Sequence, residues 1–267
     1  MRACILAAGI GQRLRPLTDD KPKALVEVDG LSFIDRLLRQ LIAVGVTELV
    51  VATGWCEAAV KNALVNAAIP VRFCRNDAFD RTQNAVSLHL CRDALLAGGA
   101  RDTFKLDGDV ILDVEVLRRM IAALEATRCE LIAAIDERAA EAQSLGAEEM
   151  KVLLEGDSAW GEGSTRPIAR FGKALDPRAS AGESIGVELI AARAVSPLFD
   201  ALGAAVTAGD THLYYEDVYD RMIAPRAHGG GRLDARGVRV GDLPWTEVDT
   251  AADLARAGAI ARRTRLS

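Results

Sequence analysis

The sequence predicts an α/β fold: a doubly wound, mostly parallel mixed sheet flanked by helices, with a smaller β-rich part attached. Three observations predict it. Apolar runs alternate with stretches of helical periodicity from Ala3 to Asp109, a glycine-rich loop follows the first run directly, and near Glu130 the rhythm changes to short strands separated by turns.

Ala3–Ala8 is a continuous apolar run, the pattern of a strand buried on both faces of a parallel sheet. After a polar loop marked by glycine and proline and the short run Leu25–Val28, the stretch Phe33–Val44 places Phe33, Leu37, Leu38 and Leu41 at helical spacing. Glu48–Ala52 reads as the second strand, Glu57–Ala67 as a helix and Val71–Cys74 as the third strand. Asn84–Leu96 reads as one helix and Thr103–Leu106 as the fourth strand, ending in Asp107-Gly108-Asp109. Ligands of such Rossmann-like sheets bind beyond the carboxyl ends of strands, so the loops after Ala8 and Leu106 can share one site. Glu130–Ile135, Lys151–Leu154, Pro167–Phe171 and Ser184–Ala191 read as strands, with Ser158–Thr165 a polar, glycine-bearing turn or mobile loop. Val195–Ala208 and Tyr215–Ile223 read as helices. Gly229-Gly230-Gly231 breaks the chain before strands near Arg232 and Val238, and Ala251–Arg262 closes it as a helix. No repeat or linker interrupts the chain, so a single domain over 1–267 is expected, in two halves of about 1–128 and 129–267.

Half of the 267 residues are apolar and 27% are charged, enough for a proper core and ordinary for a globular protein. The net charge of -5 argues against a nucleic-acid-binding surface, which needs a basic stripe. A phosphate-bearing ligand must then be held by a local cluster of cations. The five cysteines (Cys4, Cys56, Cys74, Cys91, Cys129) show no C-x-x-C spacing and fit reduced thiols in the cytoplasm. No apolar run approaches the ~18 residues of a membrane span. A cytoplasmic protein with no membrane or nucleic-acid partner is expected, and a homodimer stays open.

The most informative stretch runs from Leu6-Ala7-Ala8-Gly9-Ile10-Gly11-Gln12-Arg13 to Lys21-Pro22-Lys23-Ala24-Leu25. Glycines let backbone N–H groups turn inward and approach phosphate oxygens, forming an anion-binding nest around Leu6, Ala7, Ala8, Gly9 and Gly11. Arg13 can clamp phosphates with its guanidinium fork, and Lys23, behind the stiff Pro22, can place a point charge on a transferring phosphate. The loop is not a Walker motif, since G-x-x-x-x-G-K-[ST] is absent, and Leu14 stands where a dinucleotide fingerprint needs its third glycine.

This stretch resembles the signature of the nucleotide-sugar pyrophosphorylase family, L-A-A-G-x-G-x-R-L-x-P-L-T followed by P-K-x-L, and matches it at every fixed position. Asp107-Gly108-Asp109 is similar to the family's metal-binding strand end, and Trp245-Thr246-Glu247-Val248-Asp249-Thr250 to its late W-x-E-[IV]-D-[ST] segment. The resemblance implies a nucleotide-binding first half, an acceptor-binding second half, and transfer of a nucleoside monophosphate from an NTP with release of pyrophosphate. Both reactants are polyanions, so such catalysis is mainly positioning and charge neutralisation, a role for Mg²⁺ with few carboxylate ligands. Asp109, freed by Gly108 at a strand end, is the first expected ligand. The resemblance makes Asp249 the second, and Asp107 a further ligand or a partner beside the nucleotide. No nucleophilic triad is visible, and His89 reads as a satisfied, partly buried histidine.

Three further segments look like the cytidylyltransferase branch acting on choline phosphate, inositol 1-phosphate or phosphonates: Asn76-Asp77 with Arg81–Leu88, Ala181–Val187 and Tyr214–Val218. Asn84 and Ser87 then read the base or cap a helix, while Glu183, Gly186 and Glu216 face the acceptor. Lys151 and Lys173 are either acceptor-phosphate ligands or surface lysines. With only three Trp, three Tyr and six Phe, an aromatic cage for choline is disfavoured against a polyol or phosphonate acceptor. The alternative is UTP-, dTTP-, ATP- or GTP-dependent transfer to a sugar or cyclitol 1-phosphate. A non-catalytic nucleotide sensor would have shed Arg13, Lys23, Asp109 or Asp249, and all four are present.

Overall fold

A computed structural model of the chain describes residues 1–156, 160, 165–224 and 233–267. In the first half, β1 (Arg2–Ala7), β2 (Glu27–Val28), β3 (Leu31–Ser32), α1 (Phe33–Ala43), β4 (Glu48–Thr53), α2 (Glu57–Ala63), β5 (Val71–Arg75), α3 (Asn84–His89), α4 (Arg92–Leu96) and β6 (Thr103–Asp107) follow one another. The chain continues through β7 (Val110–Leu112), α5 (Val114–Thr127), β8 (Leu131–Asp136), α6 (Arg138–Glu141), β9 (Lys151–Leu154), β10 (Thr165–Gly172) and β11 (Gly182–Ile190). It ends with α7 (Ala192–Thr207), α8 (Tyr215–Ile223), β12 (Ala235–Arg239), β13 (Trp245–Glu247) and α9 (Ala251–Ala261).

Nine strands form one sheet in the order β5-β4-β1-β6-β11-β8-β12-β10-β9. β5, β4, β1 and β6 run parallel, whereas β11 is antiparallel to both β6 and β8. The order reverses between β1 and β6, the switch point at which doubly wound sheets open a crevice. Both faces of β1 are covered: Ala3, Ile5 and Ala7 enter one core with α1, α2 and α5, while Cys4 enters the other with α3, α4, α7 and α8. A third, smaller core joins α9 to β2 and β7 through Ala257, Ala261, Val28, Ile111 and Val248.

Helix starts follow their caps. Ser32 Oγ accepts from Asp35 N at 3.2 Å to begin α1, which buries Phe33, Ile34, Leu37, Leu38 and Leu41. The stretch expected as one helix over Asn84–Leu96 breaks into α3 and α4, because Cys91 N turns back to Leu88 O at 3.0 Å. Not expected from sequence were α5 and the antiparallel pair β7–β13, whose three-residue strands are too short to display a period. Within Ser158–Thr165 only Trp160 and Thr165 are described, and Gly229-Gly230-Gly231 and Arg232 lie outside the described residues. Among the described residues no helix is long and apolar enough to cross a membrane.

Candidate active site

The glycine loop leaves the carboxyl end of β1 and folds back on itself. Gly11 has φ +69°, and a Cβ there would stand 3.0 Å from Lys23 Cβ, so glycine lets the loop and the lysine pack. Thr18 Oγ1 donates to Gly11 O at 2.8 Å, and Trp55 Nε1 donates to Thr18 O at 3.2 Å. A 3₁₀ turn over Lys23–Leu25 then buries Lys23 to 9% exposure. Its Nζ lies 2.6 Å from Asp109 Oδ2 and 2.5 Å from Asp249 Oδ1. Burial favours the neutral amine, but the two carboxylates prevail and hold Lys23 above its ordinary pKa. Arg13 Nη2 reaches Asp249 Oδ2 at 3.0 Å.

Local geometry explains how two distant acids meet. Gly108 N donates to Leu6 O at 3.0 Å, and a Cβ on Gly108 would stand 2.5 Å from that oxygen, so only glycine lets β6 turn outward there. β7 and β13 then pair, setting Glu247 opposite Val110, and Val248 N donates to Asp109 O at 3.1 Å. α9 opens on a capping box in which Asp253 Oδ2 accepts from Thr250 N at 2.8 Å and from Asp249 N at 3.2 Å. As a result, one carboxylate oxygen from each of Asp109, Glu247 and Asp249 lies within 4.8 Å of the others. Asp109 Oδ1 is buried without a partner among the described residues. Three hard oxygen donors with one of them orphaned fit a divalent cation.

Beneath this cluster lies a buried charge network. Lys105, fully buried, places Nζ 3.1 Å from Asp107 Oδ1, 2.9 Å from Glu188 Oε2 and 3.3 Å above the Tyr215 ring. Tyr215 donates its hydroxyl to Asp107 Oδ2 at 3.0 Å, so both oxygens of Asp107 are held. Gly186 has φ +73°, and a Cβ there would run into Asp107 Oδ2. Glu216 is 4% exposed with Oε2 unpartnered among the described residues. Burial, with the Glu188 and Asp107 carboxylates nearby, pushes Glu216 up to about 8 against the pull of Lys105.

A cavity of about 1010 Å³ opens over both groups. Arg13, Lys23, Gly9, Gly11, Asp107, Asp109 and Asp249 line it, as do Asn84, Lys173, Glu183, Gly186 and Glu216. Asn84 caps another helix: its Oδ1 accepts from Tyr215 N at 3.0 Å, anchoring α8. The Lys173 ammonium sits 4.4 Å over the Tyr214 ring and 3.4 Å from Glu148 Oε2.

Four expectations need correcting. Lys151 is 1% exposed and does not line the cavity; its Nζ donates to Lys173 O at 2.7 Å and Glu149 O at 3.3 Å, so it ties two segments together. Ser87 is buried behind the wall and accepts from Asn76 Nδ2 at 3.0 Å. Of the residues expected before the loop, Leu6 O receives Gly108 N and Ala8 O receives Trp55 N at 3.1 Å, so those two carbonyls are engaged within the protein. His89 is half-buried with Nδ1 unpartnered among the described residues, and it packs against Gly203 away from the cavity.

Two residues were overlooked. Glu247 stands two positions before Asp249, and the alternation of a strand puts such residues on one side, a signal that was available. Lys105 interrupts an apolar strand two residues before Asp107, again on one face. Nothing in the sequence shows that Glu188 and Tyr215 would enclose it.

Residues 3–172 match the family model of the MobA-like NTP transferase domain. Over 129 residues the chain is 35% identical to CMP-5'-(3-aminopropyl)phosphonate synthase of Streptomyces rubellomurinus, covering 48% of this chain and 20% of that protein. Over 55 residues it is 53% identical to a UTP--glucose-1-phosphate uridylyltransferase of Haloferax volcanii, covering 21% of this chain and 23% of that one. The chain thus spans about a fifth to a quarter of the length of these relatives. The inositol-1-phosphate CTP transferase of T. maritima superimposes with a TM-score of 0.75 at 20% identity, over 98% of this chain and 95% of that one, a likeness of fold. The chain belongs to the MobA-like NTP transferase family.

Proposed function

We propose that this protein transfers CMP from CTP to a small phosphorylated or phosphonate acceptor, releasing pyrophosphate. The observation that carries the reading is the convergence of Lys23 and Arg13 on Asp109 and Asp249 beside the glycine loop. An acceptor oxygen attacks the α-phosphorus in line, a new P–O bond forms, and the bond to the bridging oxygen of pyrophosphate breaks. Arg13, freed from Asp249, takes the β- and γ-phosphates. Lys23 turns from its carboxylates to the transferring phosphate, where negative charge builds up. Mg²⁺ held by Asp109, Glu247 and Asp249 would neutralise the triphosphate and polarise the α-phosphate. Asp107, fixed by Lys105 and Tyr215, presents an immobile acceptor to the nucleotide. In this reading the chain is one domain, with the nucleotide on the β1–β6 side and the acceptor against β11 and α8. The unpaired thiols and acidic charge support a cytoplasmic setting.

The base preference tests the reading. Cytosine offers an amino donor where uracil has a carbonyl, and a mismatched buried group costs ~1–3 kcal/mol. CTP should therefore exceed UTP by at least about tenfold in kcat/KM, with purine nucleotides poorer still. A thermal-shift ranking of the five nucleotides with Mg²⁺, followed by pyrophosphate release, measures it. Equal or better use of UTP would favour the second reading, uridylyl transfer to a sugar 1-phosphate, which the stretch shared with the Haloferax volcanii protein supports.

A further inference from the structure

We infer that Trp55 is a positioning residue for the glycine loop, fixing both ends of the loop and tying it to the Phe79 side of the cavity. The inference rests on the nucleotidyl-transfer reading and deepens it at that loop. Trp55 stands two residues past β4 and does not itself line the cavity. Its main-chain N donates to Ala8 O at 3.1 Å, where the loop begins. Its Nε1 donates to Thr18 O at 3.2 Å, where the loop closes on itself. Among the described residues, both hydrogen bonds from the main chain of Ala8–Thr18 to a distant segment end on Trp55. Leu14 anchors the middle of the loop in the smallest core, which leaves the limbs on either side to those two bonds.

The tether reaches the limb that carries Gly11 and Arg13 through Thr18. Thr18 is fully buried, its Oγ1 donates to Gly11 O at 2.8 Å, and a Cβ on Gly11 would stand 3.2 Å from its Cγ2. Lys23 closes on Gly11 from the other side, so the place of Trp55 bears on Gly11 and, two residues on, on Arg13. Across the loop from Thr18, the Trp55 ring centroid lies 6.4 Å from that of Phe79, tilted at 53°, and Phe79 lines the cavity beside Gln83 and Asn84. Little slack remains at this junction: a Cβ on Gly54 would stand 2.6 Å from Phe79 Cβ and 2.7 Å from Ala8 O. The end of β4, the glycine loop and Phe79 are therefore packed as one unit. A loop already held in place receives phosphates without first losing its own freedom. A loosened loop must be ordered by the nucleotide, which weakens binding while the bound geometry, and with it turnover, stays close to normal.

The test compares the natural protein with Trp55→Phe, which keeps a ring against Phe79 and deletes the Nε1 donor. Calorimetry with CTP and Mg²⁺, without acceptor, should show binding about tenfold weaker, the size of one net hydrogen bond. Amide exchange over residues 9–18 should quicken. In pyrophosphate release, KM for CTP should rise about tenfold while kcat stays within about threefold. Thr18→Val, close in shape and without the Oγ1 donor, should act in the same direction, and it carries the same readouts if Trp55→Phe folds poorly. The double variant should lose less than the product of the two single effects, because both act through one link. A purely structural Trp55 would lower Tm and leave CTP affinity and loop exchange unchanged at temperatures where both proteins are folded. That result, or single effects that multiply in full, overturns the positioning role and leaves nucleotidyl transfer standing. Failure of the natural protein to bind any of the five nucleotides would instead sink the transfer reading, and loop exchange alone would then judge the tether.

Discussion

The two ends of the cavity solve the problem of buried charge in opposite ways. At the metal end, Lys23 bridges Asp109 and Asp249, and Arg13 leans on Asp249, so most charges have an opposite partner. At the acceptor end burial dominates instead: it pushes Glu183 up with the Asp136 and Glu149 carboxylates close by, and it pushes Glu216 up against the pull of Lys105, so both hold protons more tightly. The first end is pre-organised by internal salt bridges that a ligand must exchange for its own. At the second, burial favours the protonated form of its acids. Changes at the metal end should therefore act mainly on turnover, and changes at the acceptor end on binding and pH dependence.

The largest effect is expected from Asp249→Asn. It removes one carboxylate of the converging three and one partner from each of Lys23 and Arg13. Turnover should fall at least about 10³-fold, the upper range for losing one preorganised charge-stabilising group. Steady-state pyrophosphate release measures it, and near-normal turnover would remove Asp249 from the site. Lys23→Ala sharpens the contrast because two readouts should move in opposite directions. Turnover should drop about 10²-fold, with NTP binding much less affected. The nucleotide-free protein should bind Mg²⁺ more tightly, since the resident ammonium no longer competes for Asp109 and Asp249. Unchanged or weaker metal binding in calorimetry would mean that lysine and metal do not share those carboxylates.

The same division governs what was legible in the sequence. The parallel half could be read almost strand by strand, because β1 and β4 carry apolar runs buried on both faces and β6 is broken only by Lys105 before its closing Asp107. The glycine loop, Lys23 and Asp109 were legible because backbone geometry and charge favour those residue types at those positions, whereas Asp249 was expected only through the resemblance of Trp245–Thr250 to the family's late segment. Lys151 and Ser87 were misplaced for a physical reason: a lysine or serine near a site satisfies internal carbonyls and amides as readily as a ligand. β7 and β13, which bring Asp109 and Glu247 together, have no period to read, and their pairing is long-range. That burial raises Glu183 despite two nearby cations depends on Arg138 pairing with Asp136 and on Lys151 donating to main-chain carbonyls, information that exists only in the fold.

A smaller effect is expected beneath the metal end. Lys105→Met alone should destabilise the protein by about 3–5 kcal/mol, because Glu188 and Asp107 lose a buried counter-charge. The double variant Lys105→Met/Glu188→Gln removes both members of the buried pair and should recover most of the lost Tm. Turnover should nevertheless stay about tenfold down, as when a group orienting a reactive side chain is lost. Asp107 would keep the Tyr215 hydroxyl and lack the second contact that fixes its plane. Full recovery of kcat with the recovered Tm would reduce Lys105 to a structural role.

The smallest effect concerns Glu216 and the pH dependence of stability. In the folded protein its carboxyl titrates at about 8, against an ordinary value of 4.5. Between those values the folded state holds a proton that the unfolded chain has released, so stability falls as pH rises through that window. Lys105 opposes the shift and Glu188 and Asp107 reinforce it, but burial is its main cause. Glu216→Gln keeps the shape of the protonated acid and cannot ionise. At pH 5 the variant and the natural protein should melt together. By pH 9 the variant should melt higher, at about 2–4 °C for each kcal/mol recovered in a chain near this size. Asp253→Asn, at the α9 cap, is the contrasting control: hydrogen bonds from Thr250 and Asp249 outweigh burial and lower its pKa, so its stabilisation is present above the ordinary carboxylate range and lost only in acid. Parallel Tm-against-pH curves for Glu216→Gln and the natural protein would show that Glu216 is ionised in the empty cavity, and that the two ends of the site do not differ in the way described.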